Sequence, residues 1–237
     1  MDERAVEGLY AAFANVPRPK AVAGCPCCVA PDEDRALLTR PLRELGAADL
    51  RRYAAKAMTT WGSEEEFRYF APRLLELAAD DAFNWPSVEV VFGKLGMVPW
   101  TEWPQRAALE EFLAAFWSRT LASHPSRPDA GTALCALTLA VSDVTPYLSE
   151  WERLDTGAAV RRLHDFTADV LIRRPGERVR LTNAEWDVNV PAYRQVVAWL
   201  TEGPALRAVQ AAFERLDDEP TLELLLEIEY SLSSPVG

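Results

Sequence analysis

Four consecutive residues hold most of the chain's reactive chemistry: Cys25-Pro26-Cys27-Cys28. Three thiols in four positions can supply three of the four donors that a tetrahedral Zn²⁺ ion takes, since a bound metal drives each thiol to its thiolate. The fourth donor would come from Cys135, His124, His164 or Asp32. Structural zinc sites are usually spelled as two separated Cys-x₂₋₄-Cys pairs, and a second pair is absent here. The same residues also suit redox chemistry, because Cys25 and Cys28 have the Cys-x-x-Cys spacing of dithiol–disulfide couples, although no βαβ pattern surrounds them. A third option is packing, with the thiols acting as small apolar groups in a loop pinned onto helices. Cys135, inside Ala133-Leu134-Cys135-Ala136-Leu137, reads most simply as a core residue.

Other catalytic signatures are lacking. The two histidines belong to no Glu-x-x-His pair, which disfavours a di-iron bundle site. His164 falls near the edge of an apolar helix face, where a packed, hydrogen-bonded role is expected, and His124 sits in a solvated Ser-His-Pro loop. There is no Gly-x-Ser-x-Gly, no P-loop and no Gly-x-Gly-x-x-Gly turn. Eight tryptophans stand out instead. Most are expected to seal helix junctions, but Trp100, Glu102 and Trp103 have the composition of a groove rim, where indoles form interaction hot spots.

Charge narrows the classes of partner. The 237 residues carry 25 Lys+Arg against 36 Asp+Glu, a net charge of −11, which argues against binding nucleic acid or an anionic membrane surface. All but three of the cations (Lys20, Lys56 and Lys94) are arginine, scattered along the chain. Residues 201–237 alone contain eight acids and two arginines, a net −6. Asp217, Asp218 and Glu219 lie in that segment and would suit another protein with a basic surface.

The elements that must position these groups read as helices. Leu50, Tyr53, Ala54, Ala57 and Trp61 follow the i, i+3, i+4 spacing of one helix face. Ser63 and Glu66 form a capping box for the next helix, which carries Phe67, Phe70, Leu74 and Leu77 on one face and Pro72 inside it. Similar stripes recur around 109–121, 132–144, 160–171, 193–200, 206–216 and 221–232. The expected fold is all-α, built of stacked antiparallel helical hairpins, with a loop or one short β-hairpin near 178–190. Residues 1–46 should form a helix plus a Cys/Pro-rich arm, and 47–237 the helical domain, together one globular unit. The acidic start Met1-Asp2-Glu3-Arg4 does not resemble a secretory leader, and no run approaches the ~20 apolar residues of a membrane span. A soluble, cytoplasmic protein is expected.

One stretch resembles a known repeat. Phe70-Ala71-Pro72-Arg73-Leu74-Leu75-Glu76-Leu77, then Asp80-Asp81, then Val88, Val90-Val91 and Gly93-Lys94-Leu95-Gly96 is similar to a single HEAT-type unit of the HEAT/armadillo class. It departs from that pattern at Glu89 and in the inserted Asn84-Trp85-Pro86, and it covers 27 of the 237 residues. The resemblance implies a helical-repeat architecture with a protein-binding surface and carries over no particular site residues. The combined expectation is a non-enzymatic interaction module (a regulator, adaptor or toxin-neutralising partner) with zinc at the Cys cluster. The alternative is a metal- or thiol-dependent enzyme or sensor centred on Cys25, Cys27 and Cys28.

Overall fold

A computed structural model describes residues 1–30, 32–125, 127–172 and 179–233. The chain is predominantly helical and divides into two compact units, Met1–Phe116 and Trp117–Gly237. Among the described residues no helix is long and apolar enough to cross a membrane.

The first unit opens with α1 (Glu3–Phe13), capped by the Asp2 carboxylate, which accepts from the backbone N–H of Arg4 and Ala5 at 2.8 and 3.2 Å. Its buried face, Leu9, Tyr10 and Phe13, packs toward α4. An arm follows that contains α2 (Arg35–Thr39) and a 3₁₀ turn at Leu42–Glu44 and leads to α3 (Ala47–Lys56). All five residues of the predicted stripe from Leu50 to Trp61 are buried, but the helix stops at Lys56. Ala57 and Trp61 reach the core from the turn that follows, through an isolated bridge between them rather than by helical repeat. Helix α4 (Glu64–Ala79) begins at the predicted capping box: the Ser63 backbone N–H donates to Glu66 Oε2 at 2.7 Å, and the Ser63 hydroxyl donates to the same oxygen. Pro72 is buried within α4, which continues through it. Phe67, Phe70, Leu74 and Leu75 are fully buried there, each a gain of roughly 1.5–3 kcal/mol against exposure. Helix α5 (Val88–Phe92) is only five residues long, and 3₁₀ turns at Leu95–Met97 and Trp100–Glu102 lead into α6 (Arg106–Ala122).

The second unit is organised around α7 (Ala130–Ala140), a helix apolar on nearly every side and accordingly buried on nearly every side. Next come α8 (Thr145–Glu152) and α9 (Gly157–Asp165), the latter running into a π-helical turn at Phe166–Val170. Strand β1 (Leu171–Ile172) then pairs antiparallel with β2 (Arg180–Leu181), Leu171 opposite Leu181. The pairing partner of the 178–190 segment therefore lies upstream of it, while short turns occupy 184–185 and 188–189; Arg178 itself falls outside the described residues. Helices α10 (Pro191–Thr201), α11 (Pro204–Ala212) and α12 (Glu219–Ser233) complete the unit, α12 packing on α9 and α11. An indole cluster fills its centre. Trp151 stacks on Trp199 at 5.4 Å and meets Trp117 edge-on at 5.2 Å. Each indole N–H has an acceptor: Tyr147 O for Trp117, Ala159 O for Trp151 and Glu152 Oε1 for Trp199. That satisfies the polar edge that makes a buried tryptophan costly.

Candidate metal centre

The cysteine loop is closed by backbone, not by sulfur. Residues 23–25 lie against 60–62 across a short antiparallel bridge between Gly24 and Trp61. The Cys25 N–H donates to Thr60 O at 2.8 Å and the Gly62 N–H to Ala23 O at 2.7 Å. Gly62 takes a φ of +80°, and a Cβ there would meet the Tyr53 hydroxyl at 2.9 Å, so glycine is needed where the chain turns under the loop. Gly24 is constrained too, since a Cβ on it would press on the Val29 side chain at 2.7 Å. Beyond Cys25 the chain makes a tight turn through Pro26 in which the N–H groups of Cys28 and Val29 both donate to Cys25 O at 2.9 Å. The Lys56 ammonium, from the end of α3, donates to the Cys28 carbonyl. Asp34 Oδ2 accepts from the Val22 N–H at 3.0 Å and ties the arm on its other side.

This turn brings the three sulfurs together. Cys25 Sγ stands 2.8 Å from Cys27 Sγ, Cys27 Sγ stands 3.6 Å from Cys28 Sγ, and all three lie within 4.8 Å of one another. Thiolates held at ~2.3 Å around a tetrahedral zinc stand about 3.8 Å apart, so the triad needs only small side-chain rotations to fit. Cys27 is exposed, while Cys25 and Cys28 are half-buried. Their protonation is unequal. Hydrogen bonding with the Cys27 thiol and backbone N–H, and with the Cys28 thiol, holds the Cys25 thiol below the ordinary range. The Cys25 and Cys28 sulfurs beside it push the Cys27 thiol up to about 11, so it holds its proton. A metal ion that displaces that proton converts the cluster to one set of soft donors.

The four residues considered as a fourth donor have other surroundings. Asp32 is exposed in the same arm with a φ of +63°, and its carboxylate is not part of the sulfur group. Cys135 is fully buried in α7 of the second unit, where its carbonyl accepts from the Thr138 hydroxyl at 2.7 Å. Both histidines, also in the second unit, turn to one carboxylate. His124 Nε2 lies 2.7 Å from Asp165 Oδ2, His164 Nδ1 lies 3.4 Å from Asp165 Oδ1, and His164 Nε2 lies 2.7 Å from Glu227 Oε2. Among the described residues, the three cysteines are the one group of His, Cys, Asp and Glu side chains placed to share an ion.

The residues proposed for protein contact divide. Trp100 and Trp103 are buried in the first unit, and Trp103 Nε1 donates to Glu64 Oε1 at 2.8 Å with its ring against Phe13, Phe67 and the Arg68 guanidinium. Glu102 is exposed. Asp217, Asp218 and Glu219 are all exposed, and Asp218 also caps α12 by accepting from the Thr221 N–H at 3.1 Å.

Two features had no clear sequence signal. Lys56 acts on a carbonyl, and any residue type provides that acceptor, so nothing in the composition pairs it with Cys28. The His124–Asp165–His164–Glu227 chain joins residues up to 103 positions apart by tertiary packing. Comparison of the chain with protein-family models, with curated proteins and with solved structures finds no match.

Proposed function

We propose that Cys25, Cys27 and Cys28 form a thiolate site for a closed-shell metal ion, zinc in the first instance, and that the protein is an interaction module whose N-terminal arm this ion fixes. The observation behind this is the convergence of three sulfurs within 4.8 Å on a loop whose backbone is already tied by the Thr60, Ala23 and Lys56 contacts. Preorganised donors lose little entropy on binding, which raises affinity without new contacts. The interaction half of the proposal draws on the exposed acids Asp217, Asp218 and Glu219 and on the excess negative charge of 201–237, which suit a basic protein surface. A stack of helical hairpins, HEAT-like between Phe70 and Gly96, belongs to the same proposal as the scaffold for that surface.

The exposure of Cys27 favours a second use of the site, as the reactive centre of a metal- or thiol-dependent enzyme or sensor. Elemental analysis of protein purified without added metal, and cobalt substitution read by sulfur-to-cobalt charge-transfer absorption, test the metal. One equivalent in the native chain, lost in Cys27→Ser, is expected. Sub-stoichiometric metal in both proteins, with no cobalt–thiolate band, overturns the site. Size-exclusion mixing with basic proteins tests the interaction; binding that vanishes uniformly in moderate salt whatever the partner overturns it.

A further inference from the structure

We propose that Cys25 and Cys27 are an oxidisable pair that a hydroperoxide closes to a disulfide, withdrawing two of the three sulfurs from the metal. The disulfide itself needs no metal; its effect on a bound ion rests on the function proposed above.

Geometry selects the pair. By spacing alone Cys25 and Cys28 would be the dithiol, as the ends of a Cys-x-x-Cys segment. In the folded loop Cys25 Sγ is instead 2.8 Å from Cys27 Sγ, and Cys28 Sγ is farther from Cys27 at 3.6 Å. A Cys27–Cys28 bridge would moreover force the peptide between adjacent residues out of its relaxed geometry. Cys27 is the exposed residue of the three, which gives a small oxidant access to the pair.

The chemistry balances in two steps. One sulfur of the pair, as thiolate, attacks the O–O bond of the hydroperoxide: an S–O bond forms, the O–O bond breaks, and the leaving alkoxide or hydroxide takes up a proton as alcohol or water. The sulfur is oxidised to a sulfenic acid and the peroxide is reduced. The second sulfur then attacks the first, the S–S bond forms, the S–O bond breaks, and hydroxide leaves with the second thiol's proton as water. Two thiols and one hydroperoxide give one disulfide, one alcohol (or water) and one water.

The test uses the full chain, reduced, freed of reductant and metal, and treated with one equivalent of hydrogen peroxide. After denaturation, N-ethylmaleimide labels the remaining thiols, and the tryptic peptide 21–35 holds all three cysteines of the loop. The expected peptide is lighter by two hydrogens and carries a single label, placed on Cys28 by fragmentation. Cys28→Ser should still close the bridge and Cys27→Ser should not. A label found mainly on Cys25 or Cys27, or a peptide that stays fully reduced or proceeds to sulfinic acid, overturns the pairing. A parallel sample loaded with zinc and a chromophoric chelator reads release, expected in step with the disulfide. If zinc binds but no disulfide forms, the oxidisable pair is refuted and the metal site stands. If the disulfide forms in a chain that binds no zinc, the metal site is refuted and the pair stands.

Discussion

Lys56 is one of only three lysines in the chain, and its ammonium reaches a main-chain oxygen of the cysteine turn rather than a carboxylate. A cation on the Cys28 carbonyl fixes the orientation of that peptide and with it the direction in which the Cys28 Cβ–Sγ bond leaves the backbone. Groups that orient a ligand from behind commonly change metal affinity 10–100-fold when removed. Lys56→Met keeps the aliphatic stem and removes the donor, so zinc affinity measured by chelator competition should fall about tenfold. Lys20→Met, at an exposed position of the same arm, should leave it unchanged. Equal affinities for the native and Lys56→Met chains would show that the turn holds its shape without the ammonium. The three sulfurs themselves were legible in the sequence, because thiols in such density have few uses. What positions them was not, because main-chain hydrogen bonds leave no side-chain signature.

Local signals translated well wherever one element was enough to satisfy them. The Ser63–Glu66 box could be read directly, since hydroxyl and carboxylate three residues apart at a helix start have a specific job in satisfying free N–H groups. It also has a pH signature. Partial burial pushes the Glu66 carboxyl up, but hydrogen bonds from the Ser63 hydroxyl and backbone N–H outweigh this and hold it below its ordinary range. A carboxyl depressed in the folded chain adds stability above the unfolded pKa and loses it as pH falls through the folded value. Ser63→Ala should therefore cost about 1 kcal/mol in denaturant unfolding near neutral pH. The difference from the native chain should narrow below about pH 4 as Glu66 protonates in both proteins. A constant difference down to pH 3 would assign the cost to helix propensity instead. The stripe from Leu50 to Trp61 was read less completely. Its residues are buried as expected, yet the helix ends at Lys56, because periodicity records which side chains face the core and not which backbone conformation delivers them. At 178–190 the weak alternation marked a strand correctly at Arg180–Leu181, but pairing with Leu171–Ile172 is a choice made by tertiary context.

At the scale of the whole chain, chemistry is divided between two compact units. The thiol triad lies in Met1–Phe116, while both histidines and the most acidic stretch lie in Trp117–Gly237. A metal held by the arm of the first unit acts on that unit's local opening, which native-state hydrogen exchange detects segment by segment. Chelation of a zinc-loaded sample should raise amide exchange at 22–29 and 56–62 and leave α7 to α12 unchanged. Equal deprotection in both units would mean that the ion supports the fold globally. Composition argues against whole classes of partner, but it does not divide the chain in two: the apolar stripes on either side of Phe116 look alike, and α6 runs through that position without a break in sequence pattern.

The indole cluster around Trp151 gives this division an optical form. Two indoles stacked at 5.4 Å with ring planes 23° apart, and a third edge-on, should couple their transitions and add to the near-ultraviolet dichroism that the buried Trp61 and Trp103 of the first unit also give. Sulfur-to-metal absorption would mark the first. A chain loaded with cobalt at the proposed site would thus carry a second chromophore beside its indoles. With cobalt in place of zinc, occupancy of the arm and packing of the indoles would be followed together in one cuvette.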